Sequence, residues 1–145
     1  MTTIAWDGTT LAADKGSWSG GLHQPVRKTY KITAPDGRRF LVAMAGDAVF
    51  ATQCLRWLRG GDHPGRCLDD DLNRDVMVVI DEKRRIWRLS SRLVYVPYEG
   101  KIHAHGAGQE IALGALMAGA DAVKAIRITM QVSDFAARGV DFVRF

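Results

Sequence analysis

The chain opens with Met1-Thr2-Thr3-Ile4-Ala5-Trp6-Asp7-Gly8-Thr9-Thr10-Leu11-Ala12-Ala13-Asp14. These residues contain the clearest structural signal of the sequence, because Asp7-Gly8 separates two short apolar runs. An Asp-Gly pair in that setting is typical of a tight β-hairpin. We therefore predict strands over Ile4–Trp6 and Thr9–Ala13.

The position of Thr2 gives this hairpin a chemical interest. A threonine hydroxyl is a poor nucleophile unless a base lies beside it, and the α-amine of a first-residue threonine is such a base. That amine titrates near pH ~8 when unperturbed, so a modest shift makes it a proton acceptor at neutral pH. Removal of Met1 would expose it. Because many proteins begin with Met and a small residue, Thr2 becomes informative only together with other residues.

Length and composition indicate one globular domain spanning residues 1–145, with 47% hydrophobic and 25% charged residues. The net charge of +4 is spread along the chain, and Asp69-Asp70-Asp71 interrupts the basic stretches. Arg38-Arg39 and Arg84-Arg85 lie beside turn signals, which predicts solvated hairpin tips and no nucleic-acid partner. No apolar run has membrane length, so we expect no membrane partner. Cys54 and Cys67 are too few for a disulfide scaffold, and we expect a cytoplasmic protein.

The periodicity of the remaining chain predicts strands, then helices, then strands again. Strands are expected at Val26–Thr33, Arg39–Ala45, Val76–Ile80, Arg85–Ser90, Leu93–Pro97, Lys101–His105 and Val140–Phe145. Helices are expected between Gly46-Asp47 and Gly60-Gly61, over Gln109–Met117 and over Asp121–Ala136. This order suggests a layered α+β domain, with two antiparallel sheets and helices outside them.

Four groups of residues, taken together, resemble one known family. They are Thr2-Thr3-Ile4 with Ala12-Ala13-Asp14, Val26-Arg27-Lys28, Ala43-Met44-Ala45-Gly46 and Gly106-Ala107-Gly108. Their order and spacing resemble the proteasome β-subunits, which are N-terminal nucleophile (Ntn) hydrolases, with the bacterial HslV peptidase nearest in size. The resemblance covers almost the full chain. It implies a four-layer αββα sandwich and a threonine-type endopeptidase.

The resemblance also implies roles for individual residues. Thr2 matches the nucleophile, Asp14 the aspartate that pairs with a lysine, and Lys28 that lysine. Gly46 matches the glycine whose N–H faces the developing oxyanion, just before a helix. Met44 matches a residue that lines the main specificity pocket, which implies an apolar preference, and Asp134 matches a supporting aspartate.

Two positions depart from the family pattern. Ala107 and Ala137 stand where the family commonly has serines, so two hydroxyls that support the threonine amine are absent. A non-catalytic proteasome-like scaffold is therefore one alternative to a peptidase, and a small-molecule amidase is another. The family's second long helix is largely missing, and Gly60 to Asp75 occupies its place.

The resemblance implies a homo-oligomeric ring or double ring that encloses polypeptide substrates, with an AAA+ ATPase unfoldase as a candidate partner. Leu55, Trp57 and Leu58 cannot all face one narrow stripe of a helix, so at least one should point outward and mark a contact between subunits.

No cofactor or metal is expected. His103 and His105 share one face of a strand but lack an acidic or cysteine partner, so ordinary strand histidines are the better interpretation.

Overall fold

The computed structural model describes residues 1–67 and 74–145. In chain order, the strands and helices within these ranges are β1 (Thr3–Trp6), β2 (Leu11–Asp14), β3 (Gly16–Ser19), β4 (Leu22–Pro25), β5 (Thr29–Thr33), β6 (Arg39–Met44), α1 (Ala48–Leu58), β7 (Asp75–Asp81), β8 (Ile86–Ser90), β9 (Tyr95–Tyr98), β10 (His103–Gly106), α2 (Gln109–Met117), α3 (Ala122–Val132) and β11 (Val140–Val143).

Two antiparallel sheets form the centre of the fold. The first has the order β10-β1-β2-β11, and the second runs β5-β6-β7-β8-β9 in sequence order. The opening hairpin pairs Ile4 with Ala13 and Trp6 with Leu11, as the Asp-Gly signal predicts. Its turn is closed by the Asp7 carboxylate, which accepts hydrogen bonds from the backbone N–H groups of Thr9 and Thr10, both at 2.8 Å.

Successive side chains of a strand point to opposite faces of its sheet. In each of the two central sheets one face packs against the other sheet and the other face packs against helices, which gives four layers. Between the sheets lie Ile4, Trp6, Leu11, Ala13, Leu41, Ala43, Val78 and Ile80. The intervening residues of the five-stranded sheet, such as Val42 and Met77, pack with Phe50 and Cys54 of α1. On the other outer face, small residues let α2 and α3 approach the four-stranded sheet closely: Ala5, Ala12, Ala112 and Ala125. The expected αββα sandwich is therefore confirmed.

Several sequence-based boundaries differ from the structure, and three of these differences have a bearing on the fold. The predicted strand Val26–Thr33 begins only at Thr29, and the helix predicted over Asp121–Ala136 ends at Val132. Ser133 ends that helix with extended backbone angles, and its hydroxyl accepts a hydrogen bond from Phe135 N at 3.1 Å. The strand predicted at Leu93–Pro97 is shifted to Tyr95–Tyr98, because Leu93 adopts a positive φ of 61° in the preceding turn.

The small hairpin β3–β4 has no counterpart among the predicted elements. It pairs Ser17 with Gln24 and Trp18 with His23. The rings of Trp18 and His23 stack with centroids 3.8 Å apart and planes 8° apart. Most of its side chains are exposed, so it lacks the apolar periodicity that predicts the other strands.

The outer parts of the structure bear on several further expectations. On α1, Leu55 is buried, whereas Trp57 and Leu58 are half-buried and pack at the edge of the core. Residues 61–67 form no helix, and the Asp69-Asp70-Asp71 run lies outside the described residues.

The arginines of the hairpin tips pair locally, Arg38 with Asp36, Arg39 with Glu82 and Arg85 with Asp81. In the described parts of the chain, no helix combines the length and apolar character needed to cross a membrane.

Candidate active site

A buried ion pair joins the two sheets at the end of β2. The Lys28 ammonium lies 3.1 Å from Asp14 Oδ1, and the two side chains are only 7% and 2% exposed. Asp14 is the last residue of β2, and Lys28 stands immediately before β5. Because a buried charge is costly unless it is paired, this contact fixes both side chains in one arrangement.

Backbone donors hold the Asp14 carboxylate. Its Oδ1 accepts a hydrogen bond from Thr3 N at 2.8 Å in addition to the Lys28 contact. Its Oδ2 accepts from Gly16 N at 3.0 Å and from Ala137 N at 3.2 Å. The carboxylate therefore ties β1, the start of β3 and the segment after α3 to the lysine.

The Lys28 ammonium also donates to the carbonyl oxygen of Met1, at 3.2 Å. It therefore contacts the peptide bond that joins Met1 to Thr2. Burial lowers the pKa of Lys28, and the charge and hydrogen bond of Asp14 oppose this effect without cancelling it. The result is a cation beside the candidate nucleophile that is easier to deprotonate than a surface lysine.

A second carboxylate, which the sequence does not single out, positions Lys28. Asp141 Oδ2 accepts hydrogen bonds from the backbone N–H groups of Lys28 and Thr29, at 2.7 and 2.8 Å. Asp141 lies on β11, which pairs with β2. Its signal in the sequence is a single acid between apolar residues of the closing strand, and its partners become apparent only from the tertiary fold.

Thr2 borders a cleft of about 450 Å³. The other residues that line it are Ala45, Gly46, Arg74, Asp75, His105, Gly106 and Ala107. Gly46 has a φ of +68°, and a side chain there would meet the Asp75 carbonyl oxygen at 3.3 Å. The helix α1 begins two residues later, with Asp47 as its N-cap accepting from Phe50 N. Gly46 thus combines close approach to the cleft with the positive end of a helix, which suits an oxyanion.

The Gly106-Ala107-Gly108 turn packs directly on the first strand. Gly106 has a φ of +97°, and a Cβ atom there would lie 2.0 Å from the Thr2 carbonyl oxygen. At Gly108 it would lie 2.3 Å from the Thr3 hydroxyl oxygen. Between them, Ala107 N donates to the Thr2 carbonyl oxygen at 2.8 Å. Both glycines are therefore required for this turn to fix the backbone of Thr2 and Thr3.

The far wall of the cleft is polar, with Arg74, Asp75 and His105 among its residues. The resemblance implies only an apolar preference for the specificity pocket and does not predict these polar groups. Asp75 forms an ion pair with Arg88, whose guanidinium lies 4.4 Å from the ring centroid of Tyr98. Next to them, burial lowers the pKa of His105 and lowers that of His103 to about 4. The two imidazole centroids are 6.3 Å apart. In the described ranges, no three potential ligands lie close enough to hold a metal ion.

Comparison with solved structures gives matches over the whole chain. BPH from Thiobacillus denitrificans is 19% identical with a TM-score of 0.66, covering 99% of this chain and 96% of that chain. The same protein in complex with epoxomicin matches with a TM-score of 0.67. The fold is proteasome-like. Anbu from Yersinia bercovieri, described as an ancestral β-subunit, is 11% identical with a TM-score of 0.70, covering 100% of this chain and 81% of that chain.

A helical assembly of Anbu from Pseudomonas aeruginosa is also similar, at 11% identity and a TM-score of 0.64, covering 100% of this chain and 81% of that chain. At these identities the similarity shows the fold, and it does not distinguish an HslV-like protein from other proteasome-like proteins. No protein-family model matches the sequence, and no curated protein matches it significantly.

Within this proteasome-like fold, the candidate residues divide into two groups. Thr2, Asp14, Lys28 and Gly46 lie together, linked by the contacts around Asp14 and by the cleft. The two others do not line the cleft, although Met44 N donates to the Lys28 carbonyl oxygen at 2.8 Å. Met44 is half-buried in the cluster beneath α1, and its neighbour Ala45 lines the cleft. Asp134 is exposed after α3, and this segment contacts the ion pair through the backbone N–H of Ala137.

Proposed function

We propose that this protein is an N-terminal threonine peptidase whose nucleophile, Thr2, becomes active when Met1 is removed. The observation that carries the proposal is the buried Asp14–Lys28 pair, whose ammonium contacts the Met1–Thr2 peptide bond at the edge of the cleft. A buried ammonium at that point serves no need of the hydrophobic core, and burying it is costly. It would lower the proton affinity of the Thr2 hydroxyl and amine.

In the proposed reaction, the Thr2 hydroxyl attacks the substrate carbonyl and transfers its proton to the Thr2 amine. The oxyanion that forms accepts a hydrogen bond from the Gly46 N–H, assisted by the N-terminus of α1. The intermediate collapses when the protonated amine gives its proton to the leaving amine, which leaves an ester on Thr2. Water, deprotonated by the same amine, then hydrolyses this ester and restores the free hydroxyl.

The proposed substrate is a polypeptide, and the proposed enzyme is a homo-oligomer of ring type. The helical assembly described for Pseudomonas Anbu supports self-association of this fold. The complex of Thiobacillus BPH with epoxomicin supports a ligand site in it. Apolar side chains exposed on the helical surface, including Val49, Met117 and Val132, offer area for such contacts. An AAA+ unfoldase and a cytoplasmic location remain predictions.

The test is hydrolysis of a panel of fluorogenic peptides by the wild type and by two Thr2 variants. Thr2→Ala should abolish hydrolysis, whereas Thr2→Ser keeps a hydroxyl and should retain measurable activity. Thr9→Ala alters an exposed threonine in the β1–β2 turn and serves as the matched control. Unchanged hydrolysis by Thr2→Ala would refute the assignment of the nucleophile.

A second candidate is a non-catalytic scaffold with the same fold. Two observations favour it: Ala107, which has no hydroxyl, lines the cleft beside Thr2, and the side chain of Asp134 is exposed to solvent. A scaffold would hydrolyse no peptide at any subunit concentration, and full retention of Met1 would favour it. A panel of acylated small amides, run beside the peptides, separates the third alternative, a small-molecule amidase.

A further inference from the structure

A short segment that leads into β11, residues 137–141, bonds to both members of the buried ion pair. Ala137 N donates to Asp14 Oδ2 at 3.2 Å. Asp141 Oδ2 accepts from Lys28 N at 2.7 Å and from Thr29 N at 2.8 Å. Asp14 belongs to the four-stranded sheet, whereas Lys28 immediately precedes the first strand of the five-stranded sheet. The segment therefore joins the two sheets at the point where the pair lies.

The backbone of this segment is strained and is held from outside. Arg138 has a φ of 65°, a left-handed conformation that residues other than glycine adopt at a cost. Lys15 N, one residue after Asp14, donates to the carbonyl oxygens of Ala137 and Gly139 at 3.1 and 3.0 Å. Strain of this kind persists only where the surrounding contacts impose it, and it is concentrated at functional sites. The shape of the segment is thus fixed by contacts beside the ion pair.

Carboxylates hold Lys28 at both of its ends. Its ammonium bonds to Asp14, and its backbone N–H bonds to Asp141. Asp141 lies opposite Ala13 of β2, which belongs to the core between the sheets, so its carboxylate points into the layer that contains Lys28. Burial lowers the pKa of Lys28, and the charges of Asp14 and Asp141 both act against this effect. Asp141 therefore acts on the lysine through two hydrogen bonds to the backbone and through its charge.

We propose that Asp141 is a positioning residue of the candidate active site, which fixes the Lys28 backbone to the four-stranded sheet and supplies a second negative charge to the Lys28 ammonium. The hydrogen bonds determine where the lysine stands relative to Thr2, and the charge favours its protonated form. Support for the ion pair thus comes from the same segment in which Ala137 offers no hydroxyl. This inference rests on the proposed function for its effect on rate, but the action of Asp141 on Lys28 is independent of catalysis.

Two substitutions in the full-length protein separate the hydrogen bonds from the charge. A single oxygen of Asp141 accepts both N–H groups, so the amide oxygen in Asp141→Asn can accept the same two bonds while the charge is lost. This variant should keep kcat within about threefold at its pH optimum, and the alkaline limb of its pH profile should move to lower pH. Asp141→Leu removes the bonds as well and should lower kcat by about tenfold or more, with KM changed less than about twofold. Glu99→Gln, at an exposed loop position, is the control.

The titration of Lys28 itself gives a readout that needs no activity. The NMR signal of its Cε atom, in protein made with isotope-labelled lysine and assigned by its loss in Lys28→Met, follows the protonation of the ammonium. The pKa of Lys28 should be lower in Asp141→Asn than in the wild type and unchanged in Glu99→Gln. An unchanged titration in Asp141→Asn would overturn the proposal even if Asp141→Leu fails to fold, as would a wild-type kcat in Asp141→Leu. A shifted titration in a protein that hydrolyses no peptide would place the failure in the proposed function, while the action of Asp141 on Lys28 would stand.

Discussion

Replacement of Lys28 by Met is the most informative perturbation of the core of the site. Met has a similar length but no charge, so Lys28→Met leaves the Asp14 carboxylate buried without its cation. Breaking one partner of a buried pair typically costs about 3–5 kcal/mol of unfolding free energy. Three backbone N–H groups still bond to Asp14, so we expect a loss near the lower limit, ~3 kcal/mol at pH 7.

The pH dependence gives this prediction a sign. Burial holds the pKa of folded Lys28 below its ordinary value of 10.5. Between the two values the unfolded chain binds more protons than the folded one, so stability rises with pH across that window. Below the folded pKa, the full cost of burying the ammonium is present. In Lys28→Met this rise should be absent.

Urea denaturation from pH 7 to pH 10 measures both effects, with Lys31→Met as the control. Lys31 lies on β5, the strand that begins directly after Lys28, but it is exposed, so its substitution should change stability little and leave the pH slope intact. A Lys28→Met variant as stable as the wild type would contradict the reasoning, as would an unchanged pH slope. The double variant Asp14→Asn with Lys28→Met removes both charges and should be more stable than Asp14→Asn alone.

Three further predictions concern other parts of the molecule. Burial lowers the pKa of His103 from 6.5 to about 4. Between these values the unfolded chain binds more protons than the folded one, so stability should fall by up to ~3 kcal/mol as the pH drops through this window. In urea titrations His103→Phe should weaken this dependence, and the lowered pKa of the neighbouring His105 should sustain the remainder. Gly106→Ala should lower the melting temperature much more than Gly119→Ala, since both glycines have φ near +100° but only Gly106 is crowded by the Thr2 carbonyl; equal losses would exclude the clash. Trp57→Glu should reduce any oligomer to smaller species in light scattering, and a wild type that is monomeric at micromolar concentration would remove the proposed ring.

The parts of the fold that the sequence predicts well are those governed by local rules. The hairpin of β1 and β2 follows from Asp7-Gly8, and the central strands follow from apolar residues on both faces. The hairpin β3–β4 escapes prediction because its side chains are mostly exposed and it is held by the stacking of Trp18 on His23. The end of α3 escapes prediction because Ser133 stops the helix without a glycine or proline.

The candidate site is less accessible to sequence reasoning, because its contacts join distant segments. Asp14 and Lys28 are suggested by a family resemblance, since neither has a distinctive local pattern. Asp141 cannot be found in that way, because its contacts with Lys28 and Thr29 form only when β11 is placed beside the ion pair. The role of Met44 stays a prediction: its side chain packs beneath α1, and its neighbour Ala45 lines the cleft.

The most direct test of the central claim is the intact mass of the purified protein before and after incubation with epoxomicin, the ligand present in the Thiobacillus BPH complex. The proposed function predicts a chain without Met1 that gains one epoxomicin, and a Thr2→Ala variant that gains none. Retention of Met1, together with no adduct on the wild type, would contradict it.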